Sequence, residues 1–174
     1  MTVDWEKIVK KYGSVVWRTA YRLLGEHSDA SDCFQETFIS AIEISRREKI
    51  RNFRALLTRL ATTKALDRLR KNSRITLKKI TVANITNEVA INTNPVEHLE
   101  ASELAESLRT ALSKLNQHEA RVFSLRFLSD MSYRQISKQL GYKTSTTAVL
   151  LHRARKKLKS LLLEQPDNKG EVIL

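Results

Sequence analysis

Proline and glycine are scarce in this chain, at two and four among 174 residues. With so few turn-formers and abundant Leu, Ala, Lys, Arg and Glu, the composition favours helices joined by short turns. Cysteine is rarer still: Cys33 stands alone, which excludes an intrachain disulfide and fits a reducing compartment. It falls among apolar residues of a predicted helix and reads as core filling. The four histidines, His27, His98, His118 and His152, lack paired ligand spacing, so no metal site is expected. There is no Gly-rich phosphate loop and no other cofactor motif, and the expectation is that no cofactor is bound. No apolar run is long enough to cross a bilayer and the N-terminus has no signal-peptide pattern, so a cytoplasmic protein without membrane insertion is expected. Acidic residues are outnumbered, 19 against 31 basic, for a net charge of +12 that suits a polyanionic partner. The excess is divided: residues 1–73 carry +6, residues 74–100 are neutral, and residues 101–174 carry +6. Two basic blocks around a neutral segment fit two contacting domains better than one basic tail.

Apolar spacing predicts the helices. Trp5, Ile8, Val9, Tyr12, Val15, Val16, Thr19, Ala20 and Leu23 recur with helical period, loosened around Gly13. A turn at residues 25–28 precedes a second helix that Ser28 or Asp29 can cap, running to about Ser45 with Ala30, Phe34, Phe38 and Ala41 on one face. A third helix, from about Asn52 to Lys71, turns Leu56, Leu57, Leu60, Ala61, Ala65, Leu66 and Leu69 inward. None of these can bury its apolar stripe alone, so a small bundle is expected. Residues 74–95 lose the period and read as a flexible linker, with a short strand around residues 81–85 as a minor alternative. Helical signal returns at Val96, with Leu99, Leu104, Leu108, Ala111, Leu112 and Leu115, and Asn116 is placed to cap the next helix. The fold class is therefore all-α: two small helical domains, residues 1–73 and 96–174, joined by a flexible linker at 74–95, with a short frayed tail after Pro166.

The C-terminal half carries the most informative stretch. Residues 132–140 form a short amphipathic pattern, Leu140-Gly141 marks a turn, and a longer helix follows that ends in His152-Arg-Ala-Arg-Lys-Lys-Leu-Lys159. This is the pattern of a helix-turn-helix, whose second helix enters the DNA major groove. In that helix Thr147, Leu151, Ala154 and Leu158 share one face, while Ser145, Thr146, Val149, His152, Arg153 and Lys156 share the other. Short hydroxyls and Val149 near the N-terminal end can approach base edges, and the cations further along can neutralise phosphates. The third predicted helix has its own basic end: Lys64, Arg68, Arg70, Lys71, Arg74, Lys78 and Lys79. The second differs, with Asp29, Asp32, Gln35, Glu36 and Glu43 on its outer face. An acidic patch repels DNA and suits a basic protein surface, unless it serves only the helix dipole and solubility.

Taken together these segments resemble a known family. Asp29-Ala-Ser-Asp-Cys-Phe-Gln-Glu-Thr-Phe38 resembles the Asp-Ala-x-Asp-x-x-Gln-Glu-Thr-Phe signature in the second conserved region of the bacterial sigma-70 family, and the two-domain format is that of its extracytoplasmic-function group. Phe53-Arg-Ala-Leu-Leu-Thr-Arg-Leu-Ala61 and Asp67-Arg-Leu-Arg-Lys71 are similar to the helix that opens and reads the −10 promoter element. Residues 112–115 and 122–127, then Ser132 to Leu151 and His152-Arg-Ala-Arg155, resemble the fourth region. The resemblance implies a promoter-specificity subunit that binds core RNA polymerase and promoter DNA, is restrained by an anti-sigma factor, and makes or breaks no bond. It implies polymerase docking by Asp29, Asp32, Gln35 and Glu36. It implies −10 contacts by Lys64, Arg68, Arg70 and Lys71, help from the loop Arg46 to Phe53 in holding an unstacked base, and −35 contacts by the exposed face of the helix-turn-helix. The chain departs from the family pattern in carrying Leu56 and Thr58 for Trp and Tyr, Thr63 for Asn, and Ala148 and Leu150 for Lys and Arg.

Two other classes fit less of the chain. A stand-alone helix-turn-helix regulator accounts for the DNA module but leaves the acidic helix without a role. A nucleic-acid enzyme would need a carboxylate cluster with metal spacing or a nucleophile with partners, and neither pattern is present.

Overall fold

The computed structural model describes residues 3–82 and 96–163, which form seven helices: α1 (Trp5–Leu24), α2 (His27–Arg47), α3 (Phe53–Val82), α4 (Val96–Lys114), α5 (Gln117–Phe127), α6 (Tyr133–Leu140) and α7 (Thr144–Leu163). There is no strand among the described residues. Residues 83–95 and the C-terminal tail lie outside them, as does most of the segment read as a possible strand.

Local chemistry sets the helix ends. Asp4 caps α1 by accepting from the Lys7 amide, and Gly25 closes it in the left-handed region at φ 73°. The second helix starts two or three residues earlier than its spacing suggests, because Glu26, not Ser28 or Asp29, is the cap: its carboxylate accepts from both the Ser28 and Asp29 amides. Those two bonds hold the Glu26 carboxyl below its ordinary pKa. Asn116 caps α5 as expected, accepting from His118.

The largest difference concerns α3. Its expected end near Lys71 is overrun, and the helix continues to Val82 through nine residues assigned to the linker. Arg74, Leu77, Lys78 and Lys79 are good helix formers, and neither Gly nor Pro interrupts residues 72–82, so nothing local stops propagation.

Packing follows the predicted inner faces. Helices α1, α2 and α3 form a three-helix bundle in which Val16, Phe38, Ala41, Leu56, Leu57 and Ala61 make one cluster. Cys33 is buried in a second, larger cluster. That cluster also takes Leu23, Leu66 and Leu69 from the N-terminal half and Leu112, Leu115, Phe123, Ile136, Leu151 and Leu158 from the C-terminal half. Helix α3 packs on α4, α5 and α6, so the two halves share a core across it. Leu104, expected on an apolar face of α4, is instead exposed. Polar ties reinforce the junction: Arg22 Nη1 donates to the Leu128 carbonyl at 3.2 Å, and Gln117 Nε2 donates to Asp67 Oδ1 at 3.2 Å.

Candidate functional site

In the C-terminal half, α6 and α7 are held at a fixed angle by several local bonds. Ser132 and Gln135 form a reciprocal capping box at the start of α6, and Gly141 ends it at φ 71°. The Tyr142 amide then donates to the Ser137 carbonyl, and the buried Ser137 and Thr147 hydroxyls bond at 2.8 Å across the helix pair. From below, the buried Glu119 carboxylate of α5 receives Lys157 Nζ at 2.8 and 3.1 Å, and the His118 ring bonds the Tyr142 hydroxyl. Thr147, Leu151, Ala154 and Leu158 all point into the core.

With that face buried, the other faces solvent. Ser145, Thr146, Val149, His152, Arg153 and Lys156 are all exposed on one side of α7, Val149 conspicuously so for an apolar side chain, at 49%. Ala148 is exposed beside them, whereas Leu150 is half-buried and packs against the core. The departure at Leu150 thus has a packing reason, since that position contributes to the hydrophobic cluster. Leu56 and Thr58 are buried as well, Leu56 in the cluster between α1, α2 and α3 and Thr58 beside Ser129 and Asp130 of the other half.

The acidic face of α2 and the basic stretch of α3 are not independent surfaces. Asp32, Gln35 and Glu36 are exposed and Asp29 is half-buried, yet three of the four meet a single guanidinium. Arg68 Nη1 lies 3.2 Å from Asp29 Oδ1 and 2.9 Å from Asp32 Oδ2, and Nη2 lies 2.9 Å from Glu36 Oε1. Partial burial alone lowers the Arg68 pKa, but the bond to Asp32 and the fields of Glu36 and Asp29 outweigh it and raise the pKa above its ordinary value. Lys64 adds a longer contact to Glu36 at 3.9 Å. Asn72, one turn beyond Arg68, donates to Asp29 Oδ2 at 2.6 Å. Its i+4 spacing from Arg68 is the sequence signal that would have found it.

The other two cations of the basic stretch face the C-terminal half. Arg70 pairs weakly with Asp67, Nη1 to Oδ1 at 3.4 Å, and is mostly buried, while Lys71 is exposed. Asp67 is approached also by Arg121 of α5 at 3.8 Å. Along this contact like charges crowd: burial and then the field of Arg121 push the Arg59 pKa down. The loop between α2 and α3 also meets the other half, and Ile50, Arg51, Met131 and Gln135 line a cleft of about 540 Å3 there. Among the described residues no group of His, Cys, Asp and Glu could hold a metal ion, and no described helix is long and apolar enough to cross a membrane.

Residues 8–75 match the family model described as Sigma-70 region 2, and residues 105–158 match Sigma-70, region 4. The ECF RNA polymerase sigma factor SigE of Mycolicibacterium smegmatis is 30% identical over 159 residues, an alignment spanning 91% of this chain but 62% of SigE. SigW of Bacillus subtilis, also an ECF RNA polymerase sigma factor, is 28% identical over 162 residues, covering 89% of this chain and 87% of SigW. Among solved structures, the sigma factor RpoE of Bartonella quintana, in complex with the anti-sigma factor NepR, superposes with a TM-score of 0.58. At 21% identity over 93% of this chain and 98% of that one, the likeness is one of fold.

Proposed function

Because this chain belongs to the sigma-70 family of RNA polymerase sigma factors, we propose that it is a promoter-specificity subunit that joins core polymerase and directs it to −10 and −35 elements. The observation that carries the reading is the order of the two family regions, residues 8–75 and then 105–158. A stand-alone regulator would use the second and leave the first without a task.

In this reading the chain works as two domains, residues 1–73 and 96–174, which part from their shared core when polymerase and promoter engage them, with residues 74–95, the first nine of them an extension of α3, as the connection. The α2 face of Asp29, Asp32, Gln35 and Glu36 docks on a basic surface of the core enzyme, with charge complementarity setting register and encounter rate. Lys64, Arg70 and Lys71 serve the strand-separated −10 element, and Arg68 joins them when docking of Asp29, Asp32 and Glu36 on the core enzyme releases it. Extruding a base from the stack costs a few kcal/mol, which backbone contacts and a pocket must offset. The exposed face of α7 reads the −35 element: Ser145, Thr146 and Val149 at base edges, and His152, Arg153 and Lys156 at phosphates. Two modest contacts on one chain act as a stronger one, because the second forms at high effective concentration. The protein makes and breaks no bond itself and uses no cofactor. It acts in the cytoplasm, where polymerase and promoter are, and an anti-sigma factor restrains it, as NepR is bound to RpoE in the structural neighbour.

The test is direct. The purified protein, mixed with core RNA polymerase of its host, should co-elute with it and confer promoter-dependent run-off transcription. Tight binding to linear DNA by the protein alone, with no polymerase association, would overturn the proposal.

A further inference from the structure

About a quarter turn around α3 from the Arg68 cradle, at 100° per residue, a cleft of about 950 Å3 opens between the two halves of the chain. Asp67, Arg70, Lys71 and Arg74 of α3 form one wall, and the end of α4 with the start of α5 forms the other, including Lys114 and Gln117. Four cations thus line the cleft with one carboxylate. That carboxylate is already engaged by Gln117, Arg70 and Arg121. Arg70 Nη2 is buried with no hydrogen-bond partner among the described residues. Lys71, Arg74 and Lys114 are exposed, and among the described residues none of them has an ion-pair partner. Burial pushes the Arg70 pKa down, Asp67 offsets this in part, and the like charges of Arg121 and Arg74 push it down further. On the α3 wall donors exceed acceptors, and a buried unpaired N–H of a charged group is costly.

We propose that this cleft binds a short linear polyphosphate, the chemistry shared by inorganic tripolyphosphate and the phosphate chain of a nucleoside triphosphate. Arg70 Nη2, Lys71 and Arg74 would hold it from one wall and Lys114 from the other. Its volume, about 950 Å3, falls in the range of small-molecule sites, roughly 300–1,000 Å3. Three cations on the α3 wall and Lys114 opposite suit a flexible anion that can reach both walls at once. A polyphosphate presents several acceptor oxygens along a flexible chain, and each can take a charge-assisted bond from a different cation. Such a ligand would bridge α3 and α4 and fasten the two halves together. The binding goes beyond the polymerase reading and shares Arg70 and Lys71 with it, so a bound polyphosphate and the −10 strand would compete for those two side chains.

Calorimetric titration of the full chain tests this with tripolyphosphate, ATP, sodium sulfate at matched ionic strength, and a short single-stranded DNA. Tripolyphosphate should occupy one saturable site and sulfate should bind far more weakly. Lys114→Gln, an exposed change on the far wall, should weaken tripolyphosphate by about tenfold, the worth of one charge-assisted bond, with an unchanged melting temperature in the absence of ligand. ATP binding more tightly than tripolyphosphate would identify a nucleotide as the ligand, and equal or weaker ATP binding would identify the phosphate chain alone. Either outcome supports the site. Equal affinity for sulfate, or no effect of Lys114→Gln on tripolyphosphate, would overturn it. So would a loss of single-strand affinity in Lys114→Gln as large as the loss for tripolyphosphate, since the cleft would then be part of a nucleic-acid track.

Discussion

Arg68 Nη2 and Glu36 Oε1 stand 2.9 Å apart, joining the middle of α3 to the acidic face of α2. The same guanidinium serves Asp29 and Asp32, so the two surfaces given separate partners above are linked to each other within the chain. Because the Arg68 side chain is 22% exposed while Asp32 and Glu36 are about half exposed, solvent screens the network and its worth is modest. Arg68→Ala should lower stability by about 1 kcal/mol and the melting temperature by roughly 2–4 °C, with the difference shrinking in high salt. Thermal melts at two ionic strengths measure it. A salt-independent loss would point to packing of the side-chain stem instead.

Charge reversal on α2 separates docking from solubility. Asp32→Lys with Glu36→Lys should abolish co-elution with core polymerase while the far-UV helical signature persists. Retained binding with reduced solubility would show that the acids serve only the helix and its hydration.

On α7 the division is between phosphates and bases. Arg153→Ala should weaken promoter binding across sequences and reduce the salt slope by about one unit, leaving base preference as it was. Substituting Ser145 or Thr146 should do the reverse, shifting preference at one or two positions with the salt slope intact. Binding measured over a salt series and a small library of −35 variants distinguishes these, and a shift in preference common to all three would contradict the division.

Cys33 offers a pH dependence with a definite sign. Burial raises its pKa from 9.0 to about 11, so the folded thiol stays neutral where the unfolded one ionises. Its contribution to stability is complete below pH 9 and declines as pH rises toward 11, by roughly 2–3 kcal/mol at 1.36 kcal/mol per unit. The comparison is wild type against Cys33→Ala, whose stability should fall less over that window. Thiol reagents near pH 8 should label the native protein slowly and the unfolded protein at once.

The two left-handed glycines differ in their surroundings. A Cβ on Gly141 would meet open space, so Gly141→Ala should cost only the backbone strain, about 1 kcal/mol. A Cβ on Gly25 would lie 2.6 Å from the Arg109 guanidinium carbon, so Gly25→Ala must also displace that side chain. Parallel denaturant titrations should rank Gly25→Ala as the more harmful, and the opposite order would show that Arg109 moves aside at no cost.

Periodicity and short-range chemistry made much of this architecture readable. The residues expected to share the inner face of α7, Thr147 through Leu158, are buried together, and the capping residue Asn116 and the turn at Gly141 lie where their chemistry suggests. Such features depend on neighbours three or four positions away. The end of α3 is not legible in the sequence because lost amphipathicity is not lost helicity: a helix whose apolar stripe fades continues until a residue breaks it. The Arg68 cradle escaped because its partners lie 32 to 39 residues away, and only the crossing of α2 and α3 brings them together. The shared core across α3 was equally hidden, since the stripe of Leu66 and Leu69 looks the same whether it covers one neighbour or two.

That double use of α3 has a mechanical corollary. Parting the two halves would strip the cover from Leu66, Leu69, Leu112 and Leu115, which sit in one cluster, and hydrophobic surface without cover is adhesive. A parted molecule would therefore be short-lived at high concentration, sticking to other copies unless some other body took over the bared leucines.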